Sequence, residues 1–190
     1  MRKSREDAAQ TRLRIIEAAS HEFRRNGFDG TGLTDLMAAA GLTHGGFYKH
    51  FSSKDEVAVE ACTRAIADVP AVVEQRTAMQ AGRPLNLNRA IKNYLSSEHL
   101  SNVSQGCPFA ALGSELSRGS PEVREAATVG LKGVVDALAK EGLAGGDNDA
   151  WSRALGVATS MIGALTMARM VDDPKLASQI LSEARSRLST

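Results

Sequence analysis

Eight residues, Thr43 to His50 (THGGFYKH), bring together a threonine, two histidines, a tyrosine, a lysine and two adjacent glycines, with no acidic side chain. A surface that small, polar and weakly cationic is unusual in a core. It suits a DNA groove, where donors meet phosphate oxygens and base edges. His44, Gly45 and Lys49 are the candidates for base edges. A lysine there can donate to guanine O6 and N7, a contact worth ~1–3 kcal/mol of discrimination. Thr43, at the N-terminal end, offers its hydroxyl and backbone N–H. Gly45-Gly46 supports two readings. Glycine costs a helix about 1 kcal/mol relative to alanine, so a pair kept inside a short helix implies close approach of the backbone to another surface. Otherwise the pair simply marks a loop.

The surrounding residues supply the elements that must position this stretch. Phe47 and Phe51 lie four residues apart and can both point inward, and Leu42 joins them from the preceding turn. Leu33–Ala40 reads as a helix presenting Leu33, Leu36 and Met37 on one side. A turn at Gly41-Leu42 then leads to a second helix at about Thr43–His50, and the pair makes a helix-turn-helix. Upstream, Leu13, Ile16, Ala19 and Phe23 recur at helical spacing, widened by Ile15 and Ala18. That helix should stop near Asn26-Gly27. Downstream, Ser53 and Glu56 have the spacing of a capping box. A long helix runs on through Val57, Ala61 and Ala65 to Val69, where Pro70 ends or kinks it; residues 71–81 can resume it before Gly82-Arg83-Pro84.

The remainder is helical throughout. The expected segments are Asn86–His99, Phe109–Ser117, a helix started by Ser120-Pro121 and running to about Lys140, Asp149–Val171, and a last helix started by Asp173-Pro174. No run alternates with a period of two, so the chain is all-α. Helix 149–171 is apolar on most sides: Trp151, Leu155, Ala158, Ile162 and Leu165 share a broad face, and Val157, Met161, Ala164 and Ala168 extend it. Gly156, Ser160 and Gly163 add small residues. Such a helix must be covered on most sides. It is either the central helix of its domain or half of a contact with a second subunit. With the last helix beside it, a four-helix dimer interface is the economical answer.

Bulk properties narrow the class. The 190 residues are 43% hydrophobic and only 4% aromatic, with 17 glycines and a formal net charge of +1. The first 14 residues carry Arg2, Lys3, Arg5, Arg12 and Arg14 against Glu6 and Asp7, a basic arm before a near-neutral body. Arg2, Lys3 and Arg5 can serve flanking phosphate or a minor groove, or remain solvated. Ala154–Ala168, bounded by Arg153 and Arg169, is too short to span a bilayer. With no secretory signal and only Cys62 and Cys107, a cytoplasmic protein with reduced thiols is expected. An enzyme is disfavoured, since no metal-ligand spacing, phosphate loop or nucleophile elbow occurs and the four histidines are scattered. No cofactor is expected.

The ordered residues Phe23, Gly27-Phe28, Ala40-Gly41-Leu42, Phe47-Tyr48, His50-Phe51 and Lys54 closely resemble the TetR/AcrR transcriptional regulators. The resemblance implies about nine helices, with a DNA-binding domain over residues 1–52 and a ligand-binding and dimerisation domain over 53–190. It implies a homodimer on double-stranded, palindromic operator DNA, most often a repressor released by a small-molecule inducer. Tyr48 and His50, and Lys54 at the start of the next helix, would contact phosphate. Gly32 departs from the family's usual Ser or Thr, so Thr31 or Thr34 would have to supply that hydroxyl. Dimerisation would use helices at about 149–171 and 174–188. A pocket for an apolar or mildly polar inducer would be lined by Met79, Phe109, Leu112, Leu131, Trp151 and Met161, and the helix after Ser53 would be the lever.

Cys107 carries two readings. Beside Pro108 near a helix start, it can form a thiolate more readily than a buried thiol. In the branch of regulators that Gly106-Cys107-Pro108 resembles, such a cysteine senses electrophiles or oxidants. Alternatively it is a small apolar residue in a packed loop. Cys62 reads as core.

Overall fold

A computed structural model describes residues 5–78, 87–140 and 147–189, and the regular structure among them is helical. In chain order these are α1 (Arg5–Gly30), α2 (Leu33–Ala39), a 3-10 helix (His44–Lys49), α3 (Lys54–Ala78), α4 (Leu87–Tyr94), α5 (Ser97–Ser101), α6 (Pro108–Ser117), α7 (Pro121–Lys140), α8 (Asp147–Met170) and α9 (Pro174–Leu188).

The expected stop of α1 is a kink followed by one more turn. Gly27 takes φ 76°, ψ 172°, a left-handed φ that glycine adopts without a Cβ penalty. The groups freed there are taken up. Glu115 of α6 accepts the Phe28 N–H at 2.6 Å, and the Thr31 hydroxyl donates to the Gly27 carbonyl at 2.7 Å.

Two expectations about elements are corrected and one alternative is decided. The second helix of the helix-turn-helix is a six-residue 3-10 helix rather than an α-helix. Two glycines in so short a segment leave too little propensity to close an α-helical ladder, and the tighter turn suffices. Segment 86–99 is two helices. Ser96 accepts the His99 N–H at 3.1 Å and starts α5 anew after Tyr94. Of the two outcomes left open at Pro70, an end is excluded, because α3 runs through it to Ala78.

The cap of α3 is shifted by one residue on one side. Ser53 Oγ accepts the Glu56 N–H at 3.1 Å, as its spacing predicts. The Glu56 carboxylate, however, returns to the N–H and the hydroxyl of Ser52, both at 2.7 Å. At α9 the sequence signal is realised fully: Asp173 accepts the N–H groups of Lys175 and Leu176, with Pro174 in the first turn.

Two hydrophobic clusters organise the molecule. The first joins Ile15, Ala19 and Phe23 of α1 to Leu36 and Met37 of α2, to Phe47 and Phe51, and to Val57, Ala61 and Ile66 of α3, and it reaches Leu112 and Leu116 of α6. It therefore extends across residue 52 without a break. The second gathers Ile91 and Leu95 with Val135 and Leu138 of α7, Ala154 and Leu165 of α8, and Leu181 of α9. Phe109 packs against both. Helix α7 meets α3 closely at Gly130, where an added Cβ would lie 2.1 Å from Ile66 Cγ2.

Candidate DNA-binding surface

Burial sorts the helix-turn-helix into a back and a front. Phe47 is fully buried and Phe51 is 2% exposed. Their rings stack with centroids 5.8 Å apart. Burying each side chain contributes about 1.5–3 kcal/mol, which pins the 3-10 helix from behind. On the front, Thr43, His44, Gly45, Tyr48 and Lys49 are exposed, while Gly46, His50 and Lys54 are half-buried. Tyr48 is 65% exposed and held edge-on by Phe47 at 5.3 Å and by His44 at 6.4 Å. The exposed ring is thus oriented from the core side, with its hydroxyl left to the outside. A Cβ at Gly45 would meet nothing within 4 Å, so nothing inside the chain accounts for the missing side chain.

The two threonines separate. Thr34 is exposed in the first turn of α2, beside Gly32, which caps α2 without a side-chain bond. Thr31 is 1% exposed, and its hydroxyl is spent on the carbonyls of Gly27 and Glu22. Thr31 as a phosphate contact is corrected: the α1 kink leaves carbonyls that its hydroxyl satisfies.

Two arginines of the basic N-terminal stretch are engaged within the fold. Arg14 donates to the Ala40 carbonyl at 2.6 Å, closing the end of α2 just before Gly41 turns with φ 68°. Arg12 is paired with Glu60 and Glu56 of α3. Neither role had a local sequence signal, because the partners lie 26 to 48 residues away. Arg5 is exposed, and Arg2 and Lys3 lie outside the described residues.

The expected inducer-pocket residues are distributed over both hydrophobic clusters and the surface. Leu112 belongs to the first cluster and Met161 to the second. Phe109 packs against both, and Leu131 is half-buried. Trp151 is 39% exposed and donates to Asp136 at 3.0 Å, so its place as a pocket residue is corrected to the surface. Met79 lies outside the described residues. A groove of about 430 Å³ lies elsewhere, between α1 and the end of α2, lined by Arg14, Glu17, Ala18, His21, Ala39, Ala40 and Gly41.

Cys107 is the N-cap residue of α6, half-buried as a residue with its sulfur enclosed. Burial pushes the thiol up; the nearby Tyr94 hydroxyl, the N–H groups of Ala110 and Phe109, and Arg169 pull the other way without cancelling it. The expectation of an easily formed thiolate is therefore corrected, because loss of solvent outweighs the helix start. The loop before it is tightly held. His99 Nε2 accepts the Cys107 N–H at 3.0 Å, which leaves Nδ1 to donate to the Tyr94 carbonyl at 2.8 Å. Arg169 donates to the His99 carbonyl at 2.6 Å. Burial pushes the Cys62 thiol up to about 12, in keeping with a core position.

Among the described residues, no helix is long and apolar enough to cross a membrane. The family model described as bacterial regulatory proteins, tetR family, matches residues 15–61. The chain is 42% identical over 57 residues to the HTH-type transcriptional regulator TtgR of Pseudomonas putida, a match covering 30% of this chain and 27% of that protein. It is 26% identical over 113 residues to the HTH-type transcriptional repressor DhaR of a Mycobacterium species, covering 60% and 56%. The chain thus spans about a quarter to just over half of these curated relatives. The fold is shared over a far greater length. A TetR-family regulator from Cytophaga hutchinsonii superposes with TM-score 0.74 at 23% identity over 98% of this chain and 97% of the other. The reduced form of E. coli NemR superposes with TM-score 0.73 at 23% identity over 95% of each. Residues 15–61 thus match the tetR-family model, and the fold of the described residues is that of TetR-family regulators of solved structure.

Proposed function

We propose that the chain binds a palindromic operator as a homodimer, represses the genes beside it, and is released by a small molecule. The carrying observation is the exposed face formed by Thr43, His44, Gly45, Tyr48 and Lys49 beside Lys54, with no acidic residue from 43 to 54 and two buried phenylalanines behind it. Lys49 and His44 read base edges, while Tyr48, His50, Lys54 and Thr34 hold phosphates. The open space at Gly45 lets backbone approach the groove floor. Residues 1–52 act as the reading unit and 53–190 as the regulatory unit, in the cytoplasm.

Exposed small and apolar residues on α8 and α9 support the dimer. Gly156 and Gly163 have nothing within 4 Å of an added Cβ. Met167 is 60%, Met170 77% and Leu176 43% exposed. A second copy that covers this stripe sets the distance between two reading units. An inducer acts by preferring a spacing that cannot span the operator, with α3 as the lever because it leaves the reading unit at Lys54 and packs on α7 at Gly130.

The test is salt-dependent binding to duplex DNA from upstream of the gene. The wild type should bind a nearly palindromic site, with affinity falling steeply as salt rises. Salt-insensitive binding without sequence preference overturns the reading.

A second reading, thiol sensing at Cys107, has one supporting observation: the Tyr94 hydroxyl, two backbone N–H groups and Arg169 all favour a thiolate at the sulfur. Operator release by a thiol-reactive compound in the wild type, abolished in Cys107→Ser, supports it. Equal release in both removes it.

A further inference from the structure

We infer that Arg12 is a positioning residue of the DNA-reading element, locking the chain just after the 3-10 helix to α1 and α3 without itself contacting DNA. The inference rests on the DNA-binding reading above and adds to it a residue remote from the reading face.

Arg12 lies in α1, and its guanidinium carbon sits 4.3 Å from the centroid of the Phe51 ring. That geometry is a cation–π contact. In the plane of the same guanidinium, Nη1 and Nη2 donate to the two carboxylate oxygens of Glu60, a bidentate fork. Nη2 also reaches Glu56 at 3.3 Å. Glu56 is held below the usual carboxylate range, first by the Ser52 backbone N–H and its hydroxyl and then by Arg12. One planar cation therefore meets Phe51 on its face and the first two turns of α3 on its edge. Through Glu56 it also reaches Ser52. The other side of this joint is the reading element itself, because Phe51 stacks on Phe47 and Phe47 orients Tyr48.

The charge balance at this joint argues against a phosphate role. Two carboxylates surround one guanidinium, and they would repel a phosphate brought to the same place. The Arg12 and Glu60 side chains are 34% and 33% exposed, so the fork is partly shielded. A direct phosphate contact and a positioning contact differ in what they do to counterion release. Each phosphate neutralised on duplex DNA contributes about −0.9 to the slope of log K against log salt. A positioning residue contributes affinity and leaves that slope alone.

The experiment measures binding of the full chain to a labelled duplex that the wild type has selected from a random library, between about 50 and 200 mM salt. Arg12→Gln is expected to weaken binding about tenfold at every salt concentration, with the slope unchanged. Arg12→Lys keeps the charge but loses the planar fork and stacking, so it should fall close to Arg12→Gln. Lys54→Ala is the control, since it removes a proposed phosphate contact and should make the slope shallower by about one. Arg12→Gln with a shallower slope, or Arg12→Lys binding like the wild type, overturns the proposal. If Arg12→Gln does not fold by circular dichroism, Glu60→Gln replaces it, and unchanged affinity in that variant overturns the proposal equally. A wild type that selects no duplex overturns the DNA-binding reading instead, so the two failures are distinct.

Discussion

At the scale of single residues, the proposed reading face divides into side chains expected to fix affinity and side chains expected to fix sequence. Tyr48→Ala and Lys54→Ala should each weaken operator binding, and each should make the salt slope shallower by roughly one, the share of a single phosphate. Fluorescence anisotropy across a salt series checks both. Lys49→Ala should act differently, costing ~1–3 kcal/mol against the preferred base pair and little against its substitutions. A panel of single-base operator variants reads that difference. One titration concerns stability rather than recognition. His21, facing the α1–α2 groove, has its protonation disfavoured by burial first and then by Arg24. Its folded pKa is depressed, so the unfolded chain binds the proton more readily. Its contribution to stability is complete above the ordinary histidine range and is lost as pH falls through the depressed folded value. Urea unfolding at successively lower pH should show that loss in the wild type, and a smaller one in His21→Gln.

At the scale of elements, the sequence signals that succeeded are those whose physics is local. Asp173 and Pro174 start α9 where their chemistry dictates, and Asp173→Ala should cost ~1 kcal/mol of stability by thermal melting. Gly27 breaks α1 where a left-handed residue was expected. Pro70 left a choice between an end and a continuing helix, and α3 continues through it. Signals that failed were overridden by neighbours. The Glu56 carboxylate chooses Ser52 over Ser53, joining a network with Arg12 that no three-residue spacing encodes. Where α3 and α7 touch, space decides: Gly130→Ala forces a methyl group 2.1 Å from Ile66 Cγ2. Overpacking of that kind typically costs about 1–3 kcal/mol. Because α3 is the proposed lever, the variant should also change operator affinity, and parallel measurement of melting and binding separates the two effects.

At the scale of the whole molecule, recognition of an operator depends on how two reading units are spaced. The stripe on α8 and α9 is the proposed surface for a second copy, with Gly163 and Met167 near its middle. Gly163→Arg should block close approach of a second helix, shift the sedimentation coefficient to that of a monomer, and reduce operator affinity by orders of magnitude, since the second half-site is no longer engaged. A monomeric wild type in the same experiment would remove the dimer from the proposal. The first hydrophobic cluster also bears on regulation. It runs unbroken from α1 through α3 to Leu112 and Leu116 of α6. The Glu115 carboxylate on the Phe28 N–H ties α6 to the kink in α1 as well. Displacement of α6 or α3 therefore reaches the reading unit through packed side chains rather than through a flexible linker.

By itself, the sequence determined the all-helical class, most helix starts, the helix-turn-helix and the division of residues 33–51 into an inward and an outward set. Each follows from periodicity, caps and side-chain type within a few residues of chain. Tertiary structure alone decided that Thr31 is buried, that Trp151 is at the surface, that the Cys107 thiol is pushed up rather than down, and that Arg12 and Arg14 bond within the fold. Those outcomes depend on solvent loss and on partners tens of residues distant. A cationic residue near the N-terminus looks the same in sequence whether it meets a phosphate or a glutamate. Only packing α1 against α3 brings Glu56 and Glu60 to Arg12.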